Sequence, residues 1–149
     1  MVQTCAFSGH RVLTDLDTNL LDRVLLNLIK NGCGRFLCGM ARGFDMTAAE
    51  SVIALKKEYP HIELVACIPC EDQSSVMSAR DRERYFRILS LCSEKIVLTD
   101  RYFNGCMQAR DRFMVDNSDL LLCYLRRSYG GTYYTVGYAK KCDKKIIEL

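Results

Sequence analysis

The sequence predicts an α/β protein with a mostly parallel sheet of about six strands and helices on both faces. Three observations support this class. Short apolar segments alternate along the chain with longer segments of helical periodicity. The apolar segments are hydrophobic almost throughout, which is typical of strands buried on both faces of a sheet. Several of them end in a glycine-bearing turn that leads into a helix, as in βαβ units.

The elements follow one another without a linker or repeat, so residues 1–149 are expected to form a single domain. The predicted strands are residues 2–8, 35–38, 62–68, 95–99, 120–125 and 145–148. The predicted helices are residues 16–29, 45–59, 80–92, 105–115 and a short one that ends at 141. Asn31-Gly32 ends the first helix and Pro60 ends the second. Residues 70–79 are polar and are expected to form a mobile flap.

Composition indicates an ordinary globular protein. Apolar residues make up 49% of the chain and charged residues 26%, and the formal net charge of +3 is too small to require a nucleic-acid partner. No apolar run approaches the ~20 residues of a membrane span. The chain enters its first strand without a charged leader and an apolar signal core, so we expect a cytoplasmic protein with no membrane partner.

The nine cysteines are an odd number, which argues against a closed disulfide framework. Four of them lie in predicted strands and are expected to be reduced core residues: Cys5, Cys38, Cys67 and Cys123.

Cys67-Ile-Pro-Cys70 has the spacing of redox and zinc motifs. However, no helix begins just after it to lower a thiol pKa, and neither His10 nor His61 shows the paired spacing of zinc ligands. The favoured interpretation is one buried thiol and one loop thiol beside the cleft, with no metal site; a redox role stays open.

Three strand-to-helix loops carry glycine: Gly9-His10-Arg11, Gly39 to Gly43, and Gly130-Gly131-Thr132. The carboxyl ends of parallel strands meet at one edge of a sheet, so these loops are expected to form a single cleft. A helix N-terminus there offers backbone N–H groups and the positive end of the helix dipole, which attract phosphate or another anion. The alternative is a set of plain βα turns whose glycines only satisfy backbone geometry.

Motifs in these loops resemble those of one superfamily. Cys38-Gly-Met-Ala-Arg-Gly-Phe-Asp45 resembles the Ser-Gly-x-Ala-x-Gly-Ile-Asp turn of the DNA-processing family Smf/DprA, and Phe7-Ser-Gly-His-Arg11 stands where that family has its first Gly-Ser-Arg loop. Residues 108–124 and 130–140 resemble the small YpsA-like family. Both families belong to the SLOG superfamily, named for Smf/DprA and the LOG phosphoribohydrolases. The resemblance covers nearly the whole chain. It implies a Rossmann-like fold, a cleft for a nucleotide or nucleotide-derived ligand, and self-association into a homo-oligomer.

The resemblance and the loops together give a set of predicted ligand-binding residues: Ser8, Gly9, His10, Arg11, Gly39, Met40, Ala41, Arg42, Gly43, Asp45, Asp116, Ser118, Gly130, Gly131 and Thr132. The glycines would let backbone amides approach a phosphate, and Arg11 and Arg42 would donate charge-assisted hydrogen bonds to its oxygens. His10 is a candidate acid or base with no visible partner, so no catalytic residue is assigned.

Four of these residues have a structural alternative. Asp45 either caps its helix, which is favoured, or accepts a hydrogen bond from a ribose hydroxyl. Thr132 either binds phosphate or caps the last helix. Asp116 and Ser118 either end the preceding helix or contact the ligand.

We favour a binding or sensing protein that holds a nucleotide-like small molecule and needs no other cofactor. The alternative is an enzyme that cleaves an N-glycosidic or phosphoester bond. LOG-type enzymes use a Pro-Gly-Gly-x-Gly-Thr-x-x-Glu loop, but Ser128 to Tyr138 here lacks its proline, its last glycine and its carboxylate. An oxocarbenium-like transition state needs a nearby carboxylate, so this loss counts against LOG-like hydrolysis. Four acidic residues could substitute for it: Asp45, Glu50, Asp116 and Asp119.

Single-stranded nucleic-acid binding, by analogy with DprA, is the weaker alternative. Arginine is abundant between residues 80 and 127, and aromatic residues for base stacking lie nearby. Acidic residues interleave with these arginines, as they do on a solvated helix face or an oligomer interface. A nucleic-acid partner is therefore not expected.

Overall fold

Six parallel strands form one sheet in a computed structural model of the chain, which describes residues 2–149. The strands are β1 (Gln3–Gly9), β2 (Cys33–Cys38), β3 (Glu63–Ile68), β4 (Glu94–Val97), β5 (Leu120–Tyr124) and β6 (Lys145–Glu148). The helices are α1 (Thr18–Lys30), α2 (Phe44–Lys56), α3 (Ala79–Ser90), α4 (Cys106–Asp116) and α5 (Gly131–Lys141), with a short 3₁₀ helix at Gln73–Val76. The predicted Rossmann-like α/β fold is confirmed.

Helices cover both faces of the sheet because successive side chains of each strand point to opposite sides. On one face, Phe7, Phe36 and Leu122 pack with buried residues of α1, α2 and α3. On the other face, Leu37 and Leu121 pack with residues of α4 and α5. Burial on both sides explains why the strands read as continuous apolar runs.

The strand order is β4-β3-β2-β1-β5-β6, so the direction in which successive strands are added to the sheet reverses at β1. The chain first builds outward from β1 to β4 and then returns to add β5 on the other side of β1. In open α/β sheets, a crevice forms at such a point outside the carboxyl ends of the strands. The fold therefore places the loop after β1 and the loop after β5 side by side.

Element boundaries differ from the predictions by a few residues. The helix predicted to reach Tyr59 ends at Lys56, and a turn in which Tyr59 N–H donates to Leu55 O carries the chain on to Pro60. The helix predicted over 80–92 begins one residue earlier, because the Ser78 hydroxyl caps it by accepting from Asp81 N–H.

Residues 70–79 are anchored, which corrects the prediction of a mobile flap. Gln73 and Ser74 are buried, and the Gln73 side-chain amide donates to Gly39 O at 3.0 Å. The Arg82 guanidinium donates to the carbonyl oxygens of Ser74, Ser75 and Met77. The polar composition of the segment therefore reflects hydrogen bonds within the protein.

No helix within residues 2–149 has the length and apolar character needed to cross a membrane.

Candidate functional site

A pocket of about 310 Å³ opens at the carboxyl ends of β1 and β5. The predicted residues that line it are Ser8, Gly9, His10, Arg11, Ala41, Asp45, Gly131 and Thr132. The structure thus brings together the loops after β1, β2 and β5, which are far apart in the sequence. The lining residues outside the predicted set are Phe7, Val12, Met107, Arg110, Asp111 and Arg127.

A second pocket of about 340 Å³ adjoins the first and shares Arg11, Ala41 and Met107 with it. Arg42 lines this second pocket, with Gln73 and other residues of the 70–79 segment. Arg11 therefore lies between the two pockets, whereas Arg42 faces only the outer one.

Several predicted glycines shape the loops without lining the first pocket. Gly43 has φ of +82°, and a Cβ there would lie 2.3 Å from Arg11 O, so the loops after β1 and β2 pack backbone to backbone. The carbonyl oxygen of Gly39 accepts from the Gln73 amide and from the Arg110 guanidinium. Met40 is buried with φ of +63°, and Gly130 has φ of +92° and precedes α5.

Asp116 and Ser118 lie at the opposite edge of the sheet, before β5. The Asp116 carboxylate accepts from Tyr138 OH at 2.7 Å, and the Ser118 hydroxyl donates to Val115 O at 3.1 Å. Both residues close the end of α4, and the structure does not bring them to the pocket.

Asp45 is the most unusual side chain of the pocket. Asp45 is 94% buried. Its Oδ2 accepts a hydrogen bond from Ala41 N–H at 3.3 Å, whereas its Oδ1 has no hydrogen-bond partner within residues 2–149. Gly43 occupies the N-cap of α2 and no side chain caps that helix, so the favoured capping role of Asp45 is wrong. Burial raises the pKa of the Asp45 carboxyl to about 7, although the nearby Arg110 guanidinium opposes this shift.

Arg110 and Asp111 form an ion pair beneath the pocket. The Arg110 Nε donates to Asp111 Oδ1 at 2.7 Å, and the Thr135 hydroxyl donates to Asp111 Oδ2 at 3.1 Å. Arg110 is buried, which lowers the pKa of its guanidinium, but Asp111 and Asp45 more than offset this and hold it raised. This buried pair connects α4 to the loop after β2 through Gly39 O.

His10 accepts a hydrogen bond at Nε2 from Arg126 N–H at 2.8 Å. Burial and the charges of Arg127 and Arg126 lower its pKa, so the ring is neutral near pH 7. With Nε2 as the acceptor, the hydrogen-bond network assigns the ring proton to Nδ1. His10 therefore joins the loops after β1 and β5, and its Nε2 is already occupied by the backbone.

The N-terminus of α5 forms one wall of the pocket. Its N-cap is Gly130, and no side chain caps it, so a capping role for Thr132 is wrong. A Cβ built on Gly131 would meet nothing within 4 Å, so the space beside the first residue of the helix is open. Within residues 2–149, neither Arg11 nor Arg127 forms an ion pair with a carboxylate. The pocket therefore combines a helix N-terminus with two cations that form no ion pair in the described chain.

Tyr124 holds the loop after β1 in place. Its hydroxyl lies 3.2 Å from both Thr14 N and Asp15 N and donates to Asp15 Oδ1 at 2.7 Å. The Arg126 guanidinium stacks 4.4 Å above the Tyr124 ring and pairs with Asp15. Arg126 is thus committed to this loop, unlike its neighbour Arg127.

The sequence pattern does not identify Arg110, Asp111 and Arg127 as site residues, because arginines with interleaved acids are typical of a solvated helix face. A signal for Arg110 was present. It lies four residues after Cys106 and four before Met114, on the buried face of α4. An arginine in the middle of an apolar helix face indicates a buried, paired charge.

Of the four acidic residues that could substitute for the LOG carboxylate, Glu50, Asp116 and Asp119 do not line the pocket. Glu50 pairs with Arg84, and Asp119 accepts from Thr4 N–H at 2.8 Å. Asp45 lines it, and Asp111 does so without having been predicted.

The cysteines are all unpaired, and Cys67 and Cys70 are both buried, so the expected loop thiol is a core residue. Burial raises the pKa of each of these two thiols to about 12, which is the opposite of what a reactive thiolate requires. Within residues 2–149, no three His, Cys, Asp or Glu side chains come together as metal ligands.

Comparison with known proteins identifies relatives of the whole fold. The YpsA family model, the YspA SLOG family, matches residues 5–147. The chain is 34% identical over 119 residues to the SPbeta prophage-derived protein YoqJ of Bacillus subtilis (strain 168), covering 72% of this chain and 70% of that protein. It is 33% identical over 136 residues to a UPF0398 protein of Halalkalibacterium halodurans, covering 89% of this chain and 71% of that protein.

Among solved structures, DNA processing protein A of Helicobacter pylori, described for its single-stranded DNA binding mode, shares this fold with a TM-score of 0.70 at 20% sequence identity. The match covers 98% of this chain but only 64% of that one, so the chain spans less than two thirds of its structural relative.

Proposed function

The chain belongs to the YspA SLOG family, and on that premise we propose that it binds a nucleotide or nucleotide-derived small ligand in the pocket at the carboxyl ends of β1 and β5. One observation carries the proposal: Arg11, Arg127 and the N-terminus of α5 meet in a single pocket that also contains buried carboxylates. A phosphate suits the two arginines and the helix N-terminus, and the hydroxyls of a sugar suit the carboxylates.

The size of the pocket fits this class of ligand. Small-molecule sites enclose roughly 300–1,000 Å³. The first pocket, at about 310 Å³, suits a mononucleotide, and the adjoining pocket of about 340 Å³ leaves room for an attached group.

A thermal-shift assay with the four common nucleoside monophosphates tests the proposal. Ligand at a hundred times its dissociation constant stabilises the folded state by about 2.7 kcal/mol, which for a chain of this size raises Tm by about 5–10 °C. Gly131→Ala should remove the shift, because it adds a methyl group to the open space beside the first residue of α5, which lines the pocket. The proposal fails if no nucleotide raises Tm.

Gly137→Ala is the matched control for Gly131→Ala. Gly137 lies on α5, is exposed, and also has nothing within 4 Å of its Cβ position, but it does not line the pocket. It should retain the full shift. Equal shifts in the two variants would remove the end of α5 from the site.

Cleavage of a nucleotide at its N-glycosidic bond is the second candidate function. The favouring observation is that Asp45 and Asp111 line the pocket, so carboxylates from α2 and α4 stand in a site whose loop after β5 lacks one. Asp45, with its pKa raised to about 7, has the character of a general acid, and the ion-paired Asp111 that of a charge stabiliser. Chromatographic detection of released base during incubation would support cleavage, whereas a thermal shift without product supports binding alone.

Single-stranded DNA is a competing ligand, because the Helicobacter protein with this fold is described as binding it. The exposed Tyr129, whose ring lies 4.9 Å from the Arg127 guanidinium, provides a surface on which a base could stack. A DNA-binding protein would retain single strands at low salt and release them steeply as salt rises. Absence of retention at low salt would end this candidate.

A further inference from the structure

Asp45, a residue that lines the pocket, has one carboxylate oxygen that the protein leaves without a partner. Asp45 and Asp111 contribute four carboxylate oxygens. Three of these accept hydrogen bonds from the chain: Asp45 Oδ2 from Ala41 N–H, Asp111 Oδ1 from Arg110, and Asp111 Oδ2 from Thr135. The fourth, Asp45 Oδ1, is buried and has no donor within residues 2–149.

An unpartnered buried acceptor is costly, because it loses its hydrogen bonds to water and gains none in return. Capping of α2 does not explain this arrangement, since Gly43 is the N-cap and no side chain caps the helix. Asp45 Oδ1 nevertheless belongs to a residue that lines the pocket. A ligand with a hydrogen-bond donor at this point would satisfy it.

The surroundings of Asp45 favour a hydroxyl as that donor. Ser8 and Thr132 line the same pocket and offer further hydroxyl groups. Such a wall suits a sugar ring with several hydroxyls better than the flat face of a base. The exposed Val12 is an apolar side chain at the mouth, where a base could rest.

We propose that Asp45 Oδ1 accepts a hydrogen bond from a ring hydroxyl of a sugar phosphate whose phosphate lies at the N-terminus of α5, beside Arg11 and Arg127. This inference rests on the proposed function and assigns the orientation of the ligand within that site. Asp45 is then the residue that selects a hydroxylated sugar over other phosphate esters.

Two small probes test this assignment: ribose 5-phosphate and tetrahydrofurfuryl phosphate, which keeps a five-membered ring and the phosphate but has no ring hydroxyl. Calorimetric titration of the full chain should show ribose 5-phosphate binding about tenfold more tightly, because only this probe offers Asp45 Oδ1 a hydroxyl donor. Equal affinities for the two probes would overturn the proposal.

Asp45→Asn tests the same contact from the side of the protein. The variant is isosteric and should narrow the preference for ribose 5-phosphate to about threefold or less, while the affinity for tetrahydrofurfuryl phosphate stays within about twofold of the wild type. Glu50→Gln is the matched control, because Glu50 lies on the same helix, pairs with Arg84 and is outside the pocket. It should keep the wild-type preference. An unchanged preference in Asp45→Asn, or equal weakening of both probes, would overturn the assignment.

The wild-type comparison of the two probes does not depend on whether any variant folds. Failure of both probes to bind the wild type would overturn the sugar assignment. The proposed function has its own readout in the nucleotide thermal shift, so a shift with a nucleotide and no binding of ribose 5-phosphate would leave that function in place.

Discussion

Polar residues differ between the two ends of the parallel strands. We call the end where the strands begin the amino edge of the sheet, and the end where they finish the carboxyl edge. At the amino edge, Asp119 accepts from Thr4 N–H at 2.8 Å, and Lys144 Nζ donates to Ser118 O at 2.8 Å. At the carboxyl edge, Asp45 Oδ1 has no partner within residues 2–149, and Arg11 and the N-terminus of α5 face a pocket. The named polar groups at the amino edge stabilise the fold, whereas Asp45 Oδ1 and Arg11 at the carboxyl edge are left without a partner in the described chain, as in a binding site.

The largest effect expected from this comparison concerns two glycines with positive φ. Gly43→Ala, at the carboxyl edge, should lower the free energy of unfolding by about 3 kcal/mol or more, because its Cβ would lie 2.3 Å from Arg11 O. Gly32→Ala, at the amino edge, should cost only about 1 kcal/mol, because φ is +102° but nothing lies within 4 Å. Urea denaturation measures both. Equal losses would mean that the loops after β1 and β2 do not pack as described.

A second prediction concerns how the ionisation of Asp45 changes the stability of the protein with pH. The folded-state pKa of about 7 lies above the ordinary value of 3.8, so the folded chain holds this proton more tightly than the unfolded chain does. Ionisation of Asp45 therefore reduces stability progressively as pH rises from about 4 to 7. Asp45→Asn should stabilise the protein by about 2 kcal/mol at pH 8 and by nearly nothing at pH 4. The charged groups that set this pKa are Arg110, Asp111 and Arg11.

Asp119→Ala is the amino-edge counterpart of that variant. It should destabilise the protein by about 1–2 kcal/mol near neutral pH, because Thr4 N–H loses its acceptor. Chemical denaturation at pH 4 and pH 8 distinguishes the two sites. Opposite signs at pH 8 are expected, and destabilisation by Asp45→Asn at that pH would refute the idea that Asp45 is unsatisfied.

A third prediction sharpens the division between the two pockets. Arg11 lines both pockets and has no carboxylate partner in the described chain, so Arg11→Ala should weaken binding of a nucleoside monophosphate by about tenfold, or about 1.4 kcal/mol. Calorimetric titration would measure this loss. Arg35→Ala, near the amino edge, removes a cation paired with Glu63 and Glu94 and should leave the affinity unchanged.

Arg42→Ala should have the smallest effect. Arg42 faces only the outer pocket, so its loss should change the affinity for a nucleoside monophosphate by less than about twofold. The same titration should show a larger loss for a nucleotide that carries a second charged group. A tenfold loss with the monophosphate alone would place the phosphate in the outer pocket instead.

The sheet was predictable from sequence because its signal is local. Continuous apolar runs such as residues 120–125 and glycine-bearing turns identify buried parallel strands and the loops that follow them. The carboxyl-edge cleft follows from that topology alone, since all of the strand-to-helix loops emerge at one edge.

The interior of the site was less predictable, because it depends on contacts between distant parts of the chain. The Arg110–Asp111 pair reaches Gly39 O only when α4 packs beneath the loop after β2, across 71 residues of sequence. The position of Asp45 at the start of a helical segment fits a helix cap. Only the structure shows that Gly43 is the N-cap of α2. Local propensity could not separate Asp116, which closes α4 at the amino edge, from a residue of the cleft.

Amide chemical-shift mapping of the full chain, titrated with adenosine 5′-monophosphate, tests the central claim most directly. The largest shifts should lie in residues 9–12, 41–45, 107–111 and 127–132, the segments that surround the pocket. Largest shifts at the amino edge, in residues 116–119 and 142–145, or no shifts at millimolar nucleotide, would contradict a ligand site at the carboxyl ends of β1 and β5.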